Sequence, residues 1–380
     1  MTDLEPILAL WSELEAAGAD YVLATVVAVE GSSYRRPGAR MLLAQDGRRA
    51  GTVSGGCLEA EVAKRAWWLT EKGPVVEQFS TFEDDGERPY GSGCGGLVSI
   101  LLERRNSAAP LIAELHRAFS HRTPLAISTA LDGLHIGRHA FAPAPEAASR
   151  RGVGEPDALR VFAQHSLDAR ASFNETVRLD DEAVRVWADF RPARAGLWIF
   201  GAGDDAKPLV RLARELGWFA AVADGRSHLA TKTRFPGADE TVVLDIAALP
   251  GKQFARLDLH STDAAVVMTH SFEQDSRVLA SLLSLDAQPA YIGVLGPQRR
   301  TRELLVEAGR LMNNAEPDAQ ADRWLETIHA PTGLDLNADT PASIALSILA
   351  EIQKTINRGT GKPLSVVRGE RHLLDGAAAR

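Results

Sequence analysis

The apolar run Leu197-Trp198-Ile199-Phe200 ends in Gly201-Ala202-Gly203-Asp204-Asp205-Ala206, and a stretch with helical periodicity follows at once. Strand, glycine turn and helix in that order open a βαβ unit. Gly201 permits the tight turn, Gly203 lets backbone approach a phosphate, and Ala206 is small enough for the helix to lie on the strand. The alternation then continues, with strands expected at 197–200, 219–223, 241–245, 264–268 and 290–294. Helices are expected at 204–216, 273–285, 298–311 and 341–357, the last marked by a Thr340 cap and Pro341 in the first turn. Crossover helices must cover both faces of such a sheet, so the fold class of this half is α/β, a Rossmann-type doubly wound parallel sheet.

The preceding residues read differently. Leu4, Ile7, Leu8, Trp11 and Leu14 fall at helical spacing, and Tyr21 to Val29 reads as a buried strand. Further strands are expected at 41–44, 50–53 and 97–102, with helices at 59–69 and 110–120. Residues 125–130 and 135–141 read as a hairpin around Asp132-Gly133, 142–157 as an exposed loop, and 184–190 as a strand. Arg191-Pro192 then begins a linker. The expectation is a glycine-rich α+β domain over 1–192 and the Rossmann-type domain over 193–380, a division natural for 380 residues when domains cluster near ~100–200.

A net charge of −8 argues against a nucleic-acid surface, whose affinity comes from clustered Lys and Arg. No segment reaches the ~18 apolar residues of a spanning helix, so no membrane insertion is expected. Met1 to Trp11 lacks the pattern of a secretory signal, and two cysteines are too few for a disulfide scaffold. A cytoplasmic location is the expectation.

Asp224, closing the second strand of the βαβ unit, is positioned to accept hydrogen bonds from a ribose. Asp204 and Asp205 stand at the helix start, where they would oppose a pyrophosphate. They also suit helix capping. In the N-terminal half, the loop Gly31 to Met41 carries Arg35, Arg36 and Arg40, whose forks suit a phosphate. Solvated surface charge is the alternative. Ser54-Gly55-Gly56-Cys57-Leu58-Glu59 sets a thiol before a helix, where the dipole favours thiolate. Gly93 and Gly95 flank the second thiol, Cys94. Either sulfur suits a nucleophile, metal ligand or sulfur carrier, or a buried inert residue. His270 ends the strand 264–268 at the ligand-binding edge of the sheet, with Arg299 and Arg300 just beyond the next strand. His270 suits an acid, base or ligand, or a plain loop hydrogen bond; the two arginines suit a phosphate or open solvent.

These segments, with Asp224-Gly225-Arg226, Thr269-His270-Ser271-Phe272, Asp275, the run Tyr291 to Arg300 and His329 to Asp335, occur in the order found in one family. The chain resembles the XdhC/CoxI family of xanthine and carbon monoxide dehydrogenase accessory proteins. The resemblance implies a factor that binds molybdenum cofactor (molybdopterin), supports its sulfuration, and inserts it into a molybdenum hydroxylase apo-enzyme. A cysteine desulfurase as further partner and a homo-oligomer, simplest as a homodimer, are expected with it. Under this reading Cys57 and Cys94 face the metal end and the arginine loop holds the phosphate. Asp204 departs from the histidine many relatives carry after the second glycine. Two alternatives stand beside it: an NAD(P)-dependent oxidoreductase using the Rossmann-type half, and a scaffold that touches no cofactor.

Overall fold

A computed structural model describes residues 4–31, 33–56, 58–80, 96–143, 157–251 and 254–367. The chain divides into two compact units, Met1–Arg194 and Ala195–Arg380.

The first unit is built on β1 (Tyr21–Gly31), the central strand of a five-stranded antiparallel sheet. Beside it lie β2 (Arg40–Ala44) and β3 (Arg49–Gly51) on one side, β5 (Gly96–Arg104) and β4 (Val75–Ser80) on the other. Side chains alternate along a strand, and here both faces are apolar. Tyr21 and Leu23 pack with α1 (Leu4–Ala16) and α3 (Arg105–Ser120), while Val22, Ala24 and Val26 pack with α2 (Glu59–Leu69). Fully burying a Val or Leu stabilises by roughly 1.5–3 kcal/mol, which is why this strand reads as a continuous apolar run rather than an alternating one.

A second antiparallel sheet of the same unit runs β7-β6-β9-β8. Its strands are β6 (Leu125–Ala130), β7 (His139–Ala142), β8 (Phe173–Leu179) and β9 (Glu182–Arg191). Leu159 and Phe162 of α4 (Ala158–Ala169) cover it. The hairpin expected from 125–130 and 135–141 forms, β6 pairing antiparallel with β7 from Ala126 opposite Ala142 to Thr129 opposite His139, but a short 3-10 turn, Gly133–His135, lengthens its connection and β7 starts at His139. Asp132 is the reason, because its carboxylate accepts the Arg185 amide at 2.9 Å and pairs with the Arg185 guanidinium at 2.6 Å, tying the chain to β9. The expected loop 142–157 falls largely outside the described residues.

In the second unit β10 (Gly196–Phe200), β11 (Phe219–Asp224), β12 (Glu240–Val243), β13 (Ala264–Val267) and β14 (Tyr291–Val294) form one parallel sheet in the order β12-β11-β10-β13-β14. Trp198, Phe200, Ala221 and Val267 face α6 (Phe272–Leu283) and α7 (Gln298–Leu311). Leu197, Ile199, Val222 and Val266 face α5 (Ala206–Glu215) and α9 (Pro341–Ile356). The sheet is thus doubly wound, as the alternating pattern requires. The remaining helix, α8 (Pro317–Leu325), packs beside α7. Among the described residues, no helix is long and apolar enough to cross a membrane.

Candidate functional site

At the carboxyl edge of the parallel sheet, the ends of β10 and β13 press together. Gly201 adopts φ +137°, and a Cβ there would fall 2.5 Å from the Met268 carbonyl oxygen, so only glycine fits. That approach carries His270 to the glycine turn. His270 itself sits at φ +63°, and its Nε2 lies 2.8 Å from Asp205 Oδ2. A carboxylate that orients an imidazole is an arrangement suited to moving a proton.

Asp205, the N-cap residue of α5, makes no capping hydrogen bond with its side chain. Asp204 pairs with Lys207 at 2.7 Å and Arg234 at 2.9 Å, and the Lys207 hydrogen bond, with both positive charges, holds its carboxyl below the usual range. Asp205 folds back so that a Cβ on Gly203 would collide with its Oδ1. The space that Gly203 leaves open is therefore filled by a side chain of this protein.

Asp224 corrects the ribose expectation. It is fully buried; Oδ1 accepts from the Arg226 amide at 2.8 Å and Nε at 2.9 Å, while Oδ2 accepts from the Ala202 amide at 2.8 Å and Arg226 Nη2 at 2.7 Å. Four donors saturate the four lone-pair sites of a carboxylate, leaving none for a ribose. Burial pushes its proton affinity up, but the Arg226 and Ala202 hydrogen bonds outweigh that and the carboxyl stays below its ordinary range. Arg226 is a residue that spacing did not single out as a site residue, although it belongs to the Asp224-Gly225-Arg226 segment. Asp275 does the same for the neighbouring turn. Its Oδ1 accepts from Thr269 N and Oγ1, and its Oδ2 holds Arg300 at 2.7 Å. Arg300 is thus engaged, whereas Arg299 is 92% exposed beside Glu303.

The first unit gathers a second group of candidates. Arg36 is exposed, and no side-chain partner stands beside it among the described residues; Arg35 is half-buried. Arg40 is not part of an anion-binding loop. It lies in β2, almost fully buried, with Nη2 2.8 Å from Asp189 of β9. Burial pushes its guanidinium down to about 10, still cationic at neutral pH, so an ion pair in a dry setting is formed. Arg191 is not the start of a free linker either: it pairs with Asp189 at 2.7 Å and donates to the Gly38 carbonyl. Tyr34, Arg35, Arg36, Arg191 and Arg194 line one cavity of about 390 Å³.

The Ser54–Glu59 turn is organised by its ends. Glu59 is 6% exposed and accepts from the Ser54 amide at 2.8 Å, the Ser54 hydroxyl at 2.5 Å, and Thr52. Ser54 Oγ in turn accepts from the Gly56 and Leu58 amides at 3.2 and 3.1 Å. The Gly56 N–H is therefore spent inside the turn and does not point to a ligand. Gly55 lies against the Tyr34 ring. Cys57, Gly93, Cys94 and Gly95 lie outside the described residues. Among the described residues, no group of three or more His, Cys, Asp or Glu is placed to hold a metal.

Comparison with known proteins covers both units. Residues 14–80 match the model of the XdhC and CoxI family, and residues 197–352 that of the XdhC Rossmann domain. A Bacillus subtilis protein named as a probable xanthine dehydrogenase subunit is 30% identical over 342 residues, 89% of this chain and 93% of its own. The Escherichia coli molybdenum cofactor insertion chaperone PaoD is 27% identical over 360 residues, 92% and 88% of the two chains. A crystal structure described as a xanthine dehydrogenase from Bacillus halodurans superposes with a TM-score of 0.70 at 29% identity, covering 94% of this chain and 96% of that one.

Proposed function

Given that this chain belongs to the XdhC and CoxI family, we propose that it binds molybdenum cofactor and delivers it to a xanthine dehydrogenase-type hydroxylase. The observation that carries this reading is the likeness to a cofactor insertion chaperone along nearly the whole of both chains. Other relatives bear the name of the dehydrogenase. The cysteine count weighs against this chain carrying iron–sulfur clusters of its own: a cluster of the usual kind takes four thiolates, and this sequence holds two.

In this role Arg35 and Arg36 hold the phosphate of the cofactor, and Gly55, Gly56, Gly93 and Gly95 are further residues that contact it. Cys57 and Cys94 face the metal end as soft ligands. They also accept sulfur: a thiolate attacks the outer sulfur of a desulfurase persulfide, a new S–S bond forms, and the donor leaves as thiolate. The cofactor, when bound, supplies the redox chemistry that the client uses. His270, oriented by Asp205, gives or takes a proton at the edge of the Rossmann-type sheet, with Arg300 nearby.

The competing reading is an NAD(P)-dependent oxidoreductase in which Gly201, Gly203, Asp224, Arg299 and Arg300 hold the dinucleotide. The Asp205 side chain over Gly203 and the saturated Asp224 both weigh against it.

The test measures molybdopterin retention and activation of an apo-hydroxylase, for wild type, Cys57→Ser and Cys94→Ser. Wild type should retain the cofactor and raise client activity, with at least one serine variant impaired in activation. Tight NAD(P)H binding with no molybdopterin retention would sink the proposal. Full activation by both serine variants would remove the thiols while leaving the delivery role.

A further inference from the structure

The cavity of the first unit has walls of two chemistries. Its floor is apolar, formed by Leu4 and Ile7 of α1 with Leu115 and Phe119 of α3. Cationic side chains line it too: Arg35 and Arg36 come from the β1–β2 loop, and Arg191 and Arg194 from the end of β9, more than 150 residues away in sequence. Arg40 is a further lining residue, and among the described lining residues none is acidic.

Arg194 and Arg40 are held in place rather than loosely solvated. Arg194 is 5% exposed, with its guanidinium 4.4 Å over the Phe119 ring. Asp189 braces Arg40 and Arg191 together, and Arg40 Nε is buried without a hydrogen-bond partner among the described residues. One carboxylate is thus shared between two guanidinium groups.

Tyr34 lines the same cavity and is 74% exposed. Its ring lies on Gly55, where a Cβ would stand 3.4 Å from Tyr34 Cγ. The glycine turn therefore supports an aromatic ring in the lining of an arginine-bearing cavity. Such a ring offers a π-face to a flat heterocycle, and planar guanidinium forks suit a phosphate.

We infer that this cavity binds a phosphate ester carried on a flat heterocycle, with the phosphate at Arg36 and the ring stacked on Tyr34. Naming the heterocycle a pterin rests on the proposed function; the site itself does not.

The experiment uses the full chain and three probes: a fluorescent pterin phosphate, the same pterin without phosphate, and inorganic phosphate. Binding is followed by fluorescence polarisation, with competition for the inorganic ion. Thermal unfolding checks that Tyr34→Ala, Tyr34→Phe and Arg36→Gln remain folded; both positions are exposed. Tyr34→Ala should weaken pterin phosphate about tenfold or more, and Tyr34→Phe should restore it, because stacking needs the ring and not the hydroxyl. Arg36→Gln should weaken the phosphorylated probe about tenfold and leave the unphosphorylated one unchanged. Inorganic phosphate should compete in wild type and poorly in Arg36→Gln. The inference is overturned if wild type binds neither pterin phosphate nor phosphate, or if Tyr34→Ala and Arg36→Gln bind as wild type does. Cofactor delivery that survives in both variants would overturn the cavity assignment and leave the chaperone role standing. Pterin phosphate bound through Tyr34 and Arg36 by a protein that delivers no cofactor would do the reverse.

Discussion

Glu59 is the side chain on which the first glycine turn is hung. Burial pushes its carboxyl up, but hydrogen bonds from Ser54 and Thr52 more than compensate and its proton affinity is depressed. Glu59→Gln replaces one acceptor oxygen with a donor facing Ser54 or Thr52. It should cost about 2 kcal/mol in urea-induced unfolding near neutral pH. The pH dependence has a definite sign. A carboxyl whose folded-state pKa lies below its unfolded value contributes stability that is present above the unfolded value, near ~4.3, and lost as pH falls through the folded one. The gap between wild type and Glu59→Gln should therefore close under acid conditions. A gap that widens as the pH drops below the unfolded carboxyl value would contradict this account.

Elements meet where glycine allows it, and two glycines at positive φ allow comparison. At Gly38 (φ +95°) an added Cβ meets the end of the flexible Arg191 side chain, which can swing aside. At Gly201 (φ +137°) it meets the Met268 backbone, which cannot move without parting β10 from β13. Gly38→Ala should then cost about 1–2 kcal/mol, mostly for the backbone conformation. Gly201→Ala should cost roughly 3 kcal/mol or more, since overpacking adds to it. Chemical denaturation of the two variants orders them; equal losses would mean that the strand ends are not in close contact. The alternation behind β10, β11, β13 and β14 was legible in sequence because each is a short apolar run beside a strongly amphipathic helix. The short edge strand β4 was missed, since Phe79 is its only buried side chain and no period shows. The helix α4 and strand β8 escaped for a similar reason: exposed charged residues such as Glu175 and Arg178 interrupt the pattern.

At the scale of the whole molecule, each unit has apolar cores of its own. Both faces of the parallel sheet are covered by helices of residues 206–356 alone. A fragment spanning residues 195–367 is accordingly expected to fold and to melt in one cooperative transition followed by circular dichroism. A fragment that shows no cooperative melt would mean the unit depends on residues before 195.

Periodicity and turn chemistry by themselves determined the parallel doubly wound sheet, the glycine turn after β10 and the helix start at Thr340-Pro341, because each is a local preference of consecutive residues. Those signals also placed His270 and Arg300 at the ligand edge, and Arg35 and Arg36 in a loop. Tertiary structure alone decided what these groups do there. It saturated Asp224 with Arg226 and Ala202, and set Asp205 over Gly203 and against His270. It also returned Arg191 to the loop at Gly38 and laid Tyr34 on Gly55. Those contacts join residues from two to more than 150 positions apart. Side-chain direction and strand register govern them, and a one-dimensional pattern of apolar and polar residues does not encode which distant donors will reach a buried carboxylate.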